Sequence, residues 1–484
     1  MNPGSSHLIR HHLLREPLTM AAVTSIKPFS PEETQRILHH LQQPAVFLKM
    51  TCDWPVLHWT AEHLSNCLND TLVQFRLGRR EETHAPLFET QCSYAEATVA
   101  QFLRWTQGQT DVGPFSDFSL SEHWIYADYK YIAALFQHQP SMFEDVKWSD
   151  FGFEGRNGKE STLWIGTEAA NTPCHQDTYG FNLVLQVQGR KRWHLFPPED
   201  TANLYPTRIP YEESSVFSQV DVLRPDLQRF PAFRRARAHV VTLQPGQVLF
   251  VPRHWWHYVE SVDPITVSVN TWIELEVDNV ARVTEAVTRT VVSAVKSSES
   301  DDNTDSWLNP TEEGVPSHRE NMQYLNLAVR ACAQRTRSLS PDLTEARPLK
   351  RDSRGQVKKH GDRADASEVF EVPLGPHLIP VSCQHDEWMK TVPEDLEDSA
   401  GGSEGPVGTN PTRPSWGKQS CGAGLPPRGC AEQEHDAPEG CAEENRSLRH
   451  TLITTNDLLD CLVHPDVISH ITELLLERHI GGHL

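Results

Sequence analysis

The chain has 484 residues, room for two or three ordinary domains, yet only 38% of them are hydrophobic, low for a fully folded chain of that length. Its formal net charge of −21 argues against a phosphate-binding surface, and therefore against nucleic acid as substrate or partner. No run approaches the roughly 18 consecutive apolar residues of a membrane span. Ten cysteines without a C-x-x-C pair or regular spacing argue against a zinc module and a secreted disulfide framework, so a reduced, cytoplasmic protein is expected.

Residues 1–19 are basic but lack a signal-peptide core, and Met20-Ala-Ala reads as an alternative start, so this stretch is expected to be an isoform extension. Residues 20–123 read as an N-terminal α/β portion. Ser30 as N-cap with Pro31 at the first position opens a helix running to Leu41. Gln43–Leu48 reads as a strand, and Trp59–Leu64 continues the α/β pattern. Residues 124–276 change character. Trp164–Thr167, Asn182–Val187, Trp193–Phe196, His239–Leu243, Val248–Val251 and Thr266–Trp272 are short β-rich runs punctuated by Gly and Pro, with Gly189–Arg192 as one turn. They predict a mainly β domain with flanking helices, a double-stranded β-helix of the jelly-roll type, rather than a helical fold.

Within that frame lies Thr172-Pro-Cys-His-Gln-Asp177, followed later by Pro252-Arg-His-Trp-Trp-His257. His175 and Asp177 are one residue apart, so on a strand they share a side, and His257 enters a later strand that could lie beside them. Two imidazoles and one carboxylate form a facial triad, which holds one face of a metal and leaves other positions open for a co-substrate. With 25 histidines in the chain, a His-x-Asp word also arises by chance; the β-rich surroundings give this one its weight. Plainer readings stand beside the others too. Lys191 sits in a charged turn that would ordinarily be solvated, and Tyr126 belongs to an aromatic patch that would ordinarily be core. Trp255 and Trp256 read as packing around His257, and Cys174 as a small buried hydrophobe.

The segment 124–272 resembles the JmjC-type cupins, especially the asparaginyl hydroxylase that restrains hypoxia-inducible factor. The matching words are Thr172-Pro-x-His-x-Asp177, Gly189-x-Lys-Arg192 with Leu195-Phe-Pro-Pro198, and Pro245-Gly-x-Val-Leu-x-x-Pro-x-x-Trp-Trp-His257. Over nearly its whole length the chain is similar to vertebrate JmjC proteins associated with small heat-shock proteins. The resemblance implies Fe(II) held by His175, Asp177 and His257. It also implies 2-oxoglutarate gripped at its distal carboxylate by Lys191, Thr172 and Tyr126, with Asn182 and Asn270 lining its pocket. The chain has one more residue between Asp177 and Asn182 than that hydroxylase, so Thr178–Phe181 is read as a loop or bulge.

Residues 277–335 are expected to be a helical extension, with Val280, Val283, Val287, Val291 and Ala294 forming one apolar stripe. The stripe would pack on the barrel or, as the resemblance implies, form a homodimer interface. Residues 336–450, poor in aromatics and rich in Pro, Gly, Ser and acidic groups, read as a disordered acidic tail. Residues 451–484 return to amphipathic helix, either docked on the body or free for a partner's groove. Two functions follow from different classes. One is a 2-oxoglutarate-dependent oxygenase acting on a protein; the other is a catalytically silent scaffold that binds small heat-shock proteins.

Overall fold

Secondary structure follows the caps and periodicities of the sequence closely at the N-terminus. In the computed structural model, which describes residues 27–80, 85–109, 113–297, 308–309, 315–339, 370–385, 390 and 453–480, Ser30 caps helix α1 (Pro31–His40) by accepting from the Glu33 N–H. The expected extension over 1–19 lies outside the described residues, and no described helix is long and apolar enough to cross a membrane. Helices α2 (Ala61–Leu68), α3 (Val99–Thr106) and the short α4 (Ile132–Leu135) complete the N-terminal set.

The described strands are β1 (Ala45–Phe47), β2 (Val73–Arg79), β3 (Ser93–Ala97), β4 (His123–Tyr131), β5 (Thr162–Thr167), β6 (Asn171–Asp177), β7 (Phe181–Gln188) and β8 (Lys191–Phe196). They continue with β9 (Pro206–Glu212), β10 (Ser215–Ser218), β11 (His239–Leu243), β12 (Val248–Val251), β13 (Trp256–Ser261), β14 (Ile265–Ile273) and β15 (Leu378–Pro380). They form two antiparallel sheets, the double-sheet cupin arrangement. The larger has the order β15-β1-β12-β7-β14-β5-β4-β2-β3, and the smaller β11-β8-β13-β6-β10-β9.

Alternation decides what each face does. On β7, Phe181, Leu183 and Leu185 join the core shared with the N-terminal helices, while Val184 faces the second sheet with Trp193, Leu195 and Val259. Strands covered on both sides read as nearly continuous apolar runs. The polar exceptions Asn182, Ser268 and Asn270 therefore mark the inter-sheet space as more than packing.

Three expectations are corrected. The turn before β8 is shorter than Gly189–Arg192: Lys191 is the first residue of the strand and only 2% exposed, because Gly189, at φ +61°, turns the chain within two residues. The tail expected over 336–450 is interrupted at residues 370–385. There β15 pairs with β1, Leu378 is fully buried, and Phe370 packs against His40 and Arg36. A few apolar residues inside a polar composition suffice when a sheet edge is available to pair them. The remainder of 336–450 falls almost wholly outside the described residues.

The third correction concerns α5 (Asp278–Lys296), whose apolar stripe turns mainly toward other helices, with Val291 also reaching the cluster around Tyr211 of β9. Val283, Ala286 and Val287 pack against α6 (His318–Leu339) and α8 (Pro465–Ile480), and Val292 against α7 (Thr455–Leu462). Thus the terminal segment docks on the body, and it covers the face that the homodimer reading would have used. Val280 of the expected stripe stays 40% exposed.

Candidate metal and co-substrate site

Strands β6 and β13 pair antiparallel, and their register sets His257 directly opposite His175. Non-bonded and bonded cross-strand partners sit close enough for side chains to touch, and here the ring centroids are 4.2 Å apart. Asp177, two residues on from His175, completes the group. Its carboxylate oxygens lie 3.7 Å from His175 Nε2 and 3.9 Å from His257 Nε2. One ligand atom from each of the three lies within 4.8 Å of the others, with both histidines buried and Asp177 half-buried, the only such set of His, Cys, Asp or Glu among the described residues.

The histidine tautomers follow from their neighbours. His175 Nδ1 lies 2.9 Å from the Pro173 carbonyl and His257 Nδ1 lies 3.0 Å from the Trp255 carbonyl. A carbonyl can only accept, so each Nδ1 carries the proton and each Nε2 lone pair points inward. Burial, and secondly the neighbouring His257 ring, hold His175 below the ordinary imidazole range, so it stays neutral. Trp272 Nε1 donates to Asp177 Oδ2 at 2.9 Å and fixes that carboxylate, as outer partners of metal ligands do. Neutral imidazoles with oriented lone pairs and an anchored carboxylate suit a divalent metal.

A β-bulge brings in Thr172. His257 opposes His175 while Val259 opposes Thr172, so two steps on β13 match three on β6. The extra residue at Pro173–Cys174 turns Thr172 to the inner face, although strict alternation would have sent it outward. Cys174 instead joins the outer core, where burial pushes its thiol up and keeps it inert.

Lys191, Thr172, Tyr126, Asn182 and Asn270 all line one narrow cavity of about 20 Å³ with His175 and His257. The Lys191 ammonium donates to Ser268 Oγ at 2.8 Å and Tyr126 Oη at 3.1 Å, and it lies 5.1 Å from the Tyr126 ring centroid. Desolvation pulls it down to about 7, with distant Asp128 opposing. No carboxylate of the described residues pairs with it within ion-pair distance. Buried cations are ordinarily paired, so this one is built to receive an anion. The amide oxygens of Asn182 and Asn270 are likewise buried without a partner, two further polar groups that a polar ligand would satisfy. The Lys191 ammonium and the Thr172 and Tyr126 hydroxyls are thus the donors that fit a compact dicarboxylate, whereas the two amide oxygens, being acceptors, call for a donor such as a water carried in with it.

Sequence reasoning missed the supports. Gly166 leaves room for Tyr126, since a Cβ there would stand 2.9 Å from its ring. Arg76, fully buried, donates to Asp128 at 2.7 Å and to the Asn171 carbonyl at 2.8 Å, pinning the start of β6. Nothing in the sequence signals this role, because Val73-Gln-Phe-Arg-Leu77 alternates and places Arg76 on the phase that reads as solvent-facing. Past Asp177 the site opens into a larger cavity of about 450 Å³, whose rim includes Tyr129, Tyr179, Glu212, Ser214 and Trp272.

A family model described as a cupin-like domain matches residues 31–279, and the chain belongs to that family. The HSPB1-associated protein 1 homolog of Danio rerio is 57% identical over 457 residues, covering 94% of this chain and 98% of that protein. HSPB1-associated protein 1 of Homo sapiens is 48% identical over 469 residues, covering 93% and 94%. Within the cupin-like proteins the chain therefore groups with the HSPB1-associated ones. Lysine-specific demethylase 8 of Xenopus tropicalis is 30% identical over 243 residues, 48% of this chain and 49% of that protein.

Proposed function

We propose that the protein is an Fe(II)- and 2-oxoglutarate-dependent oxygenase that hydroxylates a protein side chain in the cytoplasm, in association with a small heat-shock protein. The observation that carries this reading is a single buried cavity. In it, two inward imidazole lone pairs face an ammonium that no carboxylate of the described chain pairs, and the Asp177 carboxylate closes the set from the adjoining outer cavity.

His175, Asp177 and His257 would hold the metal, and Lys191, Tyr126 and Thr172 would bind the distal carboxylate of 2-oxoglutarate, with Asn182 and Asn270 orienting the rest. When bound, metal and 2-oxoglutarate would supply the oxidising chemistry with dioxygen as the oxidant: one oxygen atom would enter succinate as 2-oxoglutarate loses carbon dioxide, and the other would enter the substrate C–H as a hydroxyl. The chain's own work is positional. The Nδ1–H bonds keep both imidazole protons on the side away from the metal, Trp272 holds Asp177, and burial excludes bulk water. A protein substrate is preferred over nucleic acid because the net charge is −21.

The names of the HSPB1-associated relatives favour a second reading, a scaffold that binds a small heat-shock protein without turnover. Metal binding tests the oxygenase reading at its first step, and turnover then separates it from the scaffold. Titrated anaerobically, the full chain is expected to bind one Mn(II), and His175→Ala or Asp177→Ala to abolish it. Stoichiometric metal retained by both variants would place the ligands elsewhere and overturn the proposal.

A further inference from the structure

Helix α5 carries a second stripe besides its apolar one. Asp278, Arg282, Glu285 and Arg289 recur at spacings of four, three and four residues, which is one face of a helix. Arg282, Glu285 and Arg289 engage residues on the rim of the outer cavity, and Asp278 holds Gly180, next to Tyr179 of that rim. Asp278, 1% exposed, accepts from the Gly180 N–H at 2.9 Å and from Arg253 Nε at 2.9 Å. The Arg282 guanidinium lies 4.7 Å from the Tyr179 ring centroid and pairs with Glu274 at 2.9 Å, and Arg289 pairs with Glu213 at 2.9 Å.

Glu285 is the centre of this face. Its buried carboxylate serves three separate pieces of the rim. Arg208 of β9 donates to both oxygens at 2.6 Å, the Ser214 N–H donates at 3.1 Å, and the Thr178 hydroxyl donates at 3.3 Å. Thr178 directly follows Asp177, and its own N–H donates to the Ser214 carbonyl at 2.8 Å. The Thr178 carbonyl meets His254 Nε2 at 3.3 Å, three residues before His257. A buried charged carboxylate with donors from three segments holds them together, because breaking any one contact leaves a charged group short of a partner.

We infer that Glu285 is the positioning residue of the site: from α5 it holds the entrance loop Thr178–Gly180 and the β9–β10 turn against each other, and so fixes the chain beyond Asp177. Val283, Ala286 and Val287 on the apolar face of α5 pack against α6 and α8, while α7 meets Val292 and Lys296, further along the helix than Glu285. The identity of the positioned site rests on the metal-site reading; the mechanical role of Glu285 does not.

Hydrogen exchange on the full-length chain, with and without Glu285→Gln, tests this. Hydrogen bonds to a charged group are strong enough that losing one should speed local amide opening by about ten- to a hundredfold. The acceleration should be confined to residues 178–180 and 213–215, with β5 and β7 unchanged. The visible spectrum of Co(II) in the loaded site, which reports ligand geometry, should shift as well. Thr178→Val, which removes one hydroxyl and leaves the Arg208 pair intact, should give a smaller rise in the same segments and serves if Glu285→Gln misfolds. Acceleration no greater than in β5 and β7, or an unchanged Co(II) spectrum, overturns the inference. Absence of Co(II) binding in the wild type would instead overturn the metal-site reading, and exchange alone then decides the role of Glu285.

Discussion

Replacing Lys191 by alanine removes one ammonium while leaving His175, Asp177 and His257 in place. The side chain is 2% exposed and spends two of its three N–H donors on Ser268 and Tyr126, so the third is available to a ligand. Two unit charges about 4 Å apart at an effective dielectric of about 20 attract by about 4 kcal/mol. Desolvation offsets part of that. Removing one partner of such a buried charge pair costs about 2–5 kcal/mol, which corresponds to a loss of about 30- to several-thousand-fold in affinity. Calorimetric titration of 2-oxoglutarate into Mn(II)-loaded protein would measure it. Lys191→Ala should keep the metal and lose the co-substrate, and Lys191→Arg should recover only part, because a planar guanidinium does not fit where a compact ammonium meets Ser268. Equal 2-oxoglutarate affinity in wild type and Lys191→Ala would refute the reasoning.

Burial holds Lys191 at about 7, and a bound dicarboxylate favours its protonated form, so binding above that pH takes up a proton and affinity falls as pH rises. Titrations at pH 8 in two buffers of different ionisation enthalpy should therefore show net proton uptake; none would mean that Lys191 does not face the ligand. Deleting residues 370–385 removes β15 and the buried Leu378 and Val381, and should lower the melting temperature by about 5 °C or more; an unchanged value would show that the segment is not packed.

Much of this architecture was legible because its signals are local. Ser30-Pro31 announces α1, alternation and Gly/Pro punctuation mark the strands, and His175-x-Asp177 follows from the two-residue period of a strand. What escaped depends on pairing between distant segments. Thr172 reaches the cavity only because β6 bulges against β13, and Lys191 reads as a solvated turn residue until Gly189 is seen to tighten that turn. Residues 370–385 look like tail in composition, and their order comes from the free edge of β1. The polar stripe of α5 was visible in the sequence at Asp278, Arg282, Glu285 and Arg289, but the apolar stripe on the same helix drew the reading toward packing alone.

The central claim is that the cavity between β6, β8, β13 and β14 performs oxidative chemistry on 2-oxoglutarate. Its most direct test is succinate formation from 2-oxoglutarate, followed by NMR, with full-length protein, Fe(II), a reductant and dioxygen. Wild type should convert 2-oxoglutarate slowly without substrate and faster once a protein substrate is added, and His257→Ala should convert none. Metal and 2-oxoglutarate bound together with no succinate above the His257→Ala background, even in the presence of cell extract, would contradict the oxygenase account and leave the scaffold reading in its place.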